Sequence, residues 1–191
     1  RPPSSTLFPY TTLFRSAAAA VGHVLALTAA EIKNGLEAFV PTRGRLQVLE
    51  TARGFHVIDD TYNANPESMA AAFDTLRALR QGDTGIIVVG DMLELGDHAE
   101  RLHREMGARA ARSGISRLYI YGHFAEAVRQ GAQSEGMAPD AVFVGEKSAI
   151  VADLRDRLTT GDWVLVKGSR GMAMESVVEA LRSRGDDPKP V

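Results

Sequence analysis

The chain has 191 residues, of which 22 are basic and 24 acidic, so its formal net charge is −2, and it contains no cysteine. The missing thiols exclude a disulfide framework, a zinc–thiolate site and a cysteine nucleophile, and the near-neutral charge argues against a nucleic-acid surface. Hydrophobic residues make up 45% and charged residues 24%, which suits a soluble globular domain with an appendage, and no apolar run approaches the roughly 18 residues that span a bilayer.

In chain order, Arg1–Ser16 (RPPSSTLFPYTTLFRS) carries no acidic residue and neither a helical nor a strand period. Thr6–Ser16 reads as the in-frame translation of a sequencing adapter. Residues 1–16 are therefore expected to be an artefact or a disordered leader outside the fold, with an upstream part of the protein missing. Ala17–Phe39 is helix-prone, with apolar positions at Val24, Leu25, Leu27, Ile32, Leu36 and Phe39. Thr28 and Glu31 form a candidate capping box opening a second helix, because hydroxyl and carboxylate can each take an orphan amide donor. Pro41 and Gly44 end the pattern, so residues 17–43 read as a helical remnant and hinge.

After Gly44 strands alternate with helices. Arg45–Thr51 and Phe55–Thr61 flank Ala52-Arg53-Gly54, the length of a hairpin turn. The apolar runs Ile86–Val89, Leu118–Tyr121, Ala141–Val144 and Trp163–Val166 follow, separated by helical stretches near Pro66–Leu79, Ala99–Ser113, Ala125–Gln133 and Ala149–Leu158. A last helix is expected over Met174–Arg182, and residues 185–191 form a polar, proline-bearing tail. Short continuous apolar strands between amphipathic helices predict an α/β domain over residues 44–184. Its mostly parallel sheet has helices on both faces and an antiparallel edge hairpin. Ligands gather outside the carboxyl ends of such strands. The residues to watch are therefore Asp59–Asn65, Gly90–Gly96, Gly122-His123, Gly145-Glu146 and Lys167–Gly171.

Three of those segments carry recognisable chemistry. In Asp59–Met69 (DDTYNANPESM), Asn65 before Pro66 is a helix start, yet cap chemistry leaves the remaining polar side chains unexplained. Free amides at a helix N-terminus suit an anion, and a nearby carboxylate suits ribose hydroxyls. Gly90–Gly96 (GDMLELG) is a tight loop with two acids, and Lys167–Gly171 (KGSRG) offers two cations and a hydroxyl to a phosphate or carboxylate. Neither a G-x-x-x-x-G-K-[ST] loop nor a G-x-G-x-x-G fingerprint is present. His98 and His103, five residues apart, do not share a helix face, so no metal site is expected, and all five histidines read as solvated or packing residues.

Gly44-Arg45, DDTYNANPESM, GDMLELG and KGSRGMAME (Lys167–Glu175) together resemble the C-terminal domain of the Mur ligase family, from about Ala17 to Arg184. The D-N-P-R motif of the branch that adds a diamino acid is missing, which favours the dipeptide-adding branch. The resemblance implies a Rossmann-like C-terminal domain, preceded by a central ATPase domain whose last helices would be residues 17–43, and by an N-terminal domain for a UDP-sugar peptide. It implies ATP and Mg²⁺, bound mainly by the central domain, and UDP-MurNAc-tripeptide and D-alanyl-D-alanine as substrates. The tripeptide's carboxylate would be phosphorylated, the dipeptide amine would attack the acyl phosphate, and phosphate would leave. This would serve peptidoglycan precursor synthesis by a cytoplasmic, monomeric enzyme.

In that scheme Arg45 and Asp60 are the catalytic candidates, Arg45 at the γ-phosphate and Asp60 at the ATP ribose. Tyr62 and Asn63 complete the nucleotide set, and Asn63, Asn65, Asp91, Lys167, Ser169 and Arg170 are the substrate-binding candidates. The dipeptide's carboxylate would meet Arg170 or Lys167. Without a phosphate-binding loop, this polypeptide alone is expected to be catalytically silent. The alternatives are a phosphoacceptor receiver domain, built on Asp59-Asp60, Asp91 and Lys167, another amide ligase akin to folylpolyglutamate synthetase, and an interaction-only relic. The initial hairpin and the KGSRG loop speak against the receiver.

Overall fold

The computed structural model describes residues 9–38 and 42–183. Leader residues 1–8, hinge residues 39–41, Arg184 and the tail 185–191 lie outside the described residues. The chain divides into two units, one ending at Pro41 and the other starting at Thr42.

The first unit holds α1 (Pro9–Val24) and α2 (Ala29–Ala38). Helix α1 begins at Pro9, inside the segment whose sequence shows no helical period. The Ala17–Ala20 run has the highest helix propensity of any residue type, and helix propagates from it in both directions. A proline is tolerated at the first position, where no amide hydrogen is needed. The capping box at α2 is formed: the Glu31 amide donates to Thr28 Oγ1 at 3.3 Å, and the Thr28 amide donates to Glu31 Oε2 at 2.8 Å.

The second unit contains β1 (Gln47–Glu50), β2 (His56–Asp60), α3 (Pro66–Leu79), β3 (Gly85–Val89), α4 (Ala99–Arg112), β4 (Arg117–Ile120), α5 (Ala125–Ser134), β5 (Val142–Val144), α6 (Lys147–Arg157), β6 (Trp163–Lys167) and α7 (Glu175–Arg182). The six strands form one sheet in the order β1-β2-β6-β3-β4-β5, with β1 antiparallel to β2 and every other pair parallel. This is the α/β class read from the sequence.

Alternation along each strand separates two cores. Ile58, Ile87, Val89, Leu118 and Leu165 face Met69, Phe73 and Leu76 of α3, Met106 of α4 and Val128 of α5. Val57, Ile86, Val88, Val164 and Val166 face Ile150 and Leu154 of α6 and Val177, Val178 and Leu181 of α7. The runs Ile86–Val89 of β3 and Trp163–Val166 of β6 are apolar at every position because both faces of the central sheet are covered.

This layering fixes where a ligand can enter. Strands β2, β3 and β4 hand the chain to helices on one face, whereas β5 and β6 hand it to the other. Neighbouring strands therefore diverge on either side of β6 and again between β4 and β5, and the carboxyl edge opens into crevices at such points. No helix among the described residues is long and apolar enough to cross a membrane.

Candidate functional site

The carboxyl edge over β2 and β6 gathers segments far apart in sequence. Gly44 takes φ +76°, a conformation that favours glycine, and its carbonyl accepts from the Tyr62 amide at 2.9 Å. A Cβ there would sit 3.1 Å from the Tyr62 nitrogen, so the chain passes Tyr62 at a tight approach to its backbone. The next residue, Arg45, is exposed and lays its guanidinium 4.2 Å above the Tyr62 ring. Stacking of this kind contributes about 0.5–1 kcal/mol at an exposed site and, more usefully here, holds a cation at one place on the rim. Leu46 then adopts φ +48°, uncommon for a leucine, and this bend brings its amide 3.1 Å from Asp60 Oδ1.

Beneath this rim the charged strand ends bond to one another. Asp60 and Lys167 are register partners on parallel neighbours. Lys167 Nζ donates to Asp60 Oδ2 at 2.6 Å and to the Asn63 carbonyl at 2.7 Å. The pair is nearly enclosed, with 2% of the Lys167 and 12% of the Asp60 side chain exposed. Burial pushes the Lys167 ammonium below its ordinary range; Asp60 works against that shift and the nearby Arg45 charge adds to it. Asp59, on the other face, accepts from the hydroxyl and amide of Thr61 and shapes the turn.

Ser169 and Asp91 lace the remaining loops to this centre. Ser169 Oγ accepts from the Leu93 amide at 2.8 Å and donates to the Ala64 carbonyl at 3.3 Å, while its own amide donates to the Asp91 carbonyl at 3.0 Å. The Asp91 carboxylate accepts from the amides of His123, at 2.7 Å, and Phe124, at 3.2 Å. Gly122, at φ +137°, lies so close to that carboxylate that an added Cβ would overlap it.

The nine candidates therefore lie along one edge but divide into two groups. Arg45, Tyr62, Asn63, Asn65 and Arg170 are exposed. Asp60, Asp91, Lys167 and Ser169, expected to meet ligands, are buried and bonded to other parts of this chain. Arg170 lies 3.4 Å from Glu175 at the start of α7. Asn65 caps α3 as anticipated: Oδ1 accepts from the Ser68 amide at 2.8 Å, and Ser68 Oγ accepts from the Asn65 amide at 3.0 Å. Asn65→Ala should lower the domain's unfolding free energy by about 1 kcal/mol, and Asn65→Asp should recover most of it. A urea titration giving the same midpoint for the parent and the Asn65→Ala variant would show that the cap contributes nothing.

The crevices beside β6 are filled by these side chains, whereas the one between β4 and β5 is open. A cleft of about 450 Å³ is lined there by residues including Asp91, Tyr121, His123, Val144, Glu146 and Met172. Only Asp91 among them was a sequence candidate. The strand-end positions Gly122-His123 and Gly145-Glu146 were the available signal, without motif chemistry to raise them further. Among the described residues no group of three or more His, Asp or Glu side chains could hold a metal ion. Asp60 and Asp91 are already engaged by Lys167 and by backbone amides, so this rim does not fit Mg²⁺. For a nucleotide the fit is better: the Arg45 fork suits phosphate oxygens and the exposed Tyr62 ring adds a flat apolar surface.

The family model for the glutamate ligase domain of Mur ligases matches residues 44–170. UDP-N-acetylmuramoyl-tripeptide–D-alanyl-D-alanine ligase of Bacillus subtilis is 33% identical over 165 residues, covering 86% of this chain and 36% of that protein. The enzyme of the same name from Treponema pallidum is 39% identical over 157 residues, covering 82% of this chain and 33% of its own length. Among solved structures, MurF from Acinetobacter baumannii superposes with a TM-score of 0.78 at 31% identity, over 89% of this chain and 37% of that one. MurF ligase from Thermotoga maritima in complex with ADP gives 0.70 at 28% identity, over 85% and 35%. The chain thus spans about a third of the length of the relatives it matches.

Proposed function

The chain belongs to the Mur ligase family through its glutamate ligase domain, and from that membership we propose that it forms the C-terminal part of an ATP-dependent ligase joining D-alanyl-D-alanine to UDP-MurNAc-tripeptide. The receiver alternative falls with the family assignment. The observation that carries the proposal is the Arg45–Tyr62 stack, an exposed guanidinium held at the carboxyl edge above the buried Asp60–Lys167 pair. Residues 17–43 are then the end of the central domain, and the phosphate cradle and Mg²⁺ ligands belong to the part of the ligase outside this chain. The enzyme is cytoplasmic and acts as a monomer in this proposal.

Each rim residue then has a task. A carboxylate has a strongly basic leaving group and resists an amine at neutral pH, so it must first become an acyl phosphate. Arg45 is placed to offset charge on the transferring phosphoryl group, which is where a fixed cation contributes most. Asp60, oriented by Lys167 and the Leu46 amide, keeps a small open face for ribose hydroxyls. Tyr62 and Asn63 border the nucleotide, while Asn63 and Asn65 border the dipeptide and Arg170 takes its carboxylate. Lys167, Ser169 and Asp91 serve substrate binding by holding these loops in place.

In the complete ligase Arg45→Ala should lower D-alanyl-D-alanine-dependent phosphate release by about a hundredfold with the thermal midpoint unchanged. Arg170→Ala in the same protein should raise KM for the dipeptide. The 191-residue chain alone should release no phosphate from ATP. Full turnover by the Arg45→Ala enzyme would sink the assignment.

A further inference from the structure

We propose that His103 is a positioning residue of this rim, its neutral ring setting the Gly90–Gly96 loop against the Gly122–Phe124 turn. The proposal rests on the reading of the carboxyl edge as the reaction face.

His103 sits inside α4 and is completely buried. Its two ring nitrogens face partners of opposite kind. Nδ1 is 2.6 Å from the Ala99 carbonyl, which can only accept, so Nδ1 carries the proton. Nε2 is 2.9 Å from the Met92 amide, which can only donate, so Nε2 is bare. The two backbone groups thus fix one neutral tautomer.

Around this ring both loops converge. Its face stacks on Phe124 at 4.5 Å between centroids, and Nε2 lies 3.7 Å from Asp91 Oδ1, the carboxylate that holds the His123 and Phe124 amides. Met92 is itself buried, so without His103 its amide would have no water to turn to. Leu93, next in the loop, is held by Ser169, which reaches on to Ala64. One imidazole therefore ties the loop after β3 to the turn after β4, and through Ser169 to the segment that carries Asn63 and Asn65. A histidine that merely filled space would make neither of these two bonds.

The test compares His103→Gln and His103→Asn with the unaltered 191-residue chain by amide hydrogen exchange. Glutamine places an acceptor near the Nε2 position, whereas asparagine reaches only the Nδ1 position. In His103→Asn the Met92 and Leu93 amides should exchange at least about tenfold faster, and in His103→Gln within about threefold of the unaltered chain. The Ile87 and Leu165 strand amides should stay within about threefold in both. Ring nitrogen spectra of the unaltered chain should show Nδ1 protonated and Nε2 bare. Identical behaviour of the two variants, acceleration spread evenly over the sheet, or an Nε2-protonated ring would overturn the proposal. These readings concern loop order alone, so they are independent of the phosphate-release assay that tests the ligase reading.

Discussion

Replacing Gly107 or Gly131 by alanine is expected to lower the unfolding free energy of the domain by about 3 kcal/mol, although alanine is the better helix former. Gly107 is in α4 and Gly131 in α5, and both are buried. A Cβ on Gly107 would overlap the Val128 carbonyl oxygen, and one on Gly131 would overlap the Arg104 carbonyl oxygen. The two sites are reciprocal, each helix presenting a glycine to the other's backbone. Backbone cannot swing aside as a side-chain end can, so the helices must separate and pull Met106 and Val128 away from the sheet. The gain in propensity, about 1 kcal/mol, offsets only part of that. Urea unfolding followed by circular dichroism measures the difference, and a variant as stable as the parent would show that the helices can part freely.

Lys167→Met is expected to cost about 3–5 kcal/mol, the usual result of leaving one member of a buried pair uncompensated. The methionine fills much of the lysine's volume, so the loss reports charge and hydrogen bonds more than packing. Asp60 would keep the Leu46 amide but lose its counter-ion, and the Asn63 carbonyl would lose its donor. Asp60→Asn should also destabilise, since its single amide oxygen can accept from Lys167 or from Leu46 but not from both, and Lys167 loses its counter-ion. The double variant Asp60→Leu, Lys167→Met should recover part of the single loss, because two apolar side chains leave no buried charge. Equal losses in the single and double variants would mean that the ion pair contributes little and that the Asn63 contact dominates.

Much of the architecture was legible in the chain. Ile86–Val89 and Trp163–Val166 are uninterrupted apolar runs because each strand is covered on both faces, and they appear within a residue of the expected bounds. Asn65 followed by Pro66 marked the start of α3 because cap geometry is written in adjacent residues. Helix and strand periods, caps and turns all act over a few residues, which is why they can be read from order alone.

The same reading placed Asp60, Asp91, Lys167 and Ser169 at strand ends and expected ligands for them, and at that range it was blind to what each would meet. Insertion of β6 between β2 and β3 sets Lys167 beside Asp60 from 107 residues away, so the two charges answer each other before any ligand does. Gly107 and Gly131 carry no turn signal, and their need for a bare Cα exists only once α4 lies on α5. His103 read, like the other four histidines, as a solvated or packing residue, and its acceptor role becomes visible only when the loop after β3 folds back over α4. Segment identity follows from local steric and hydrophobic preference; partnership across the sheet follows from strand order and crossover, which no short stretch of chain encodes.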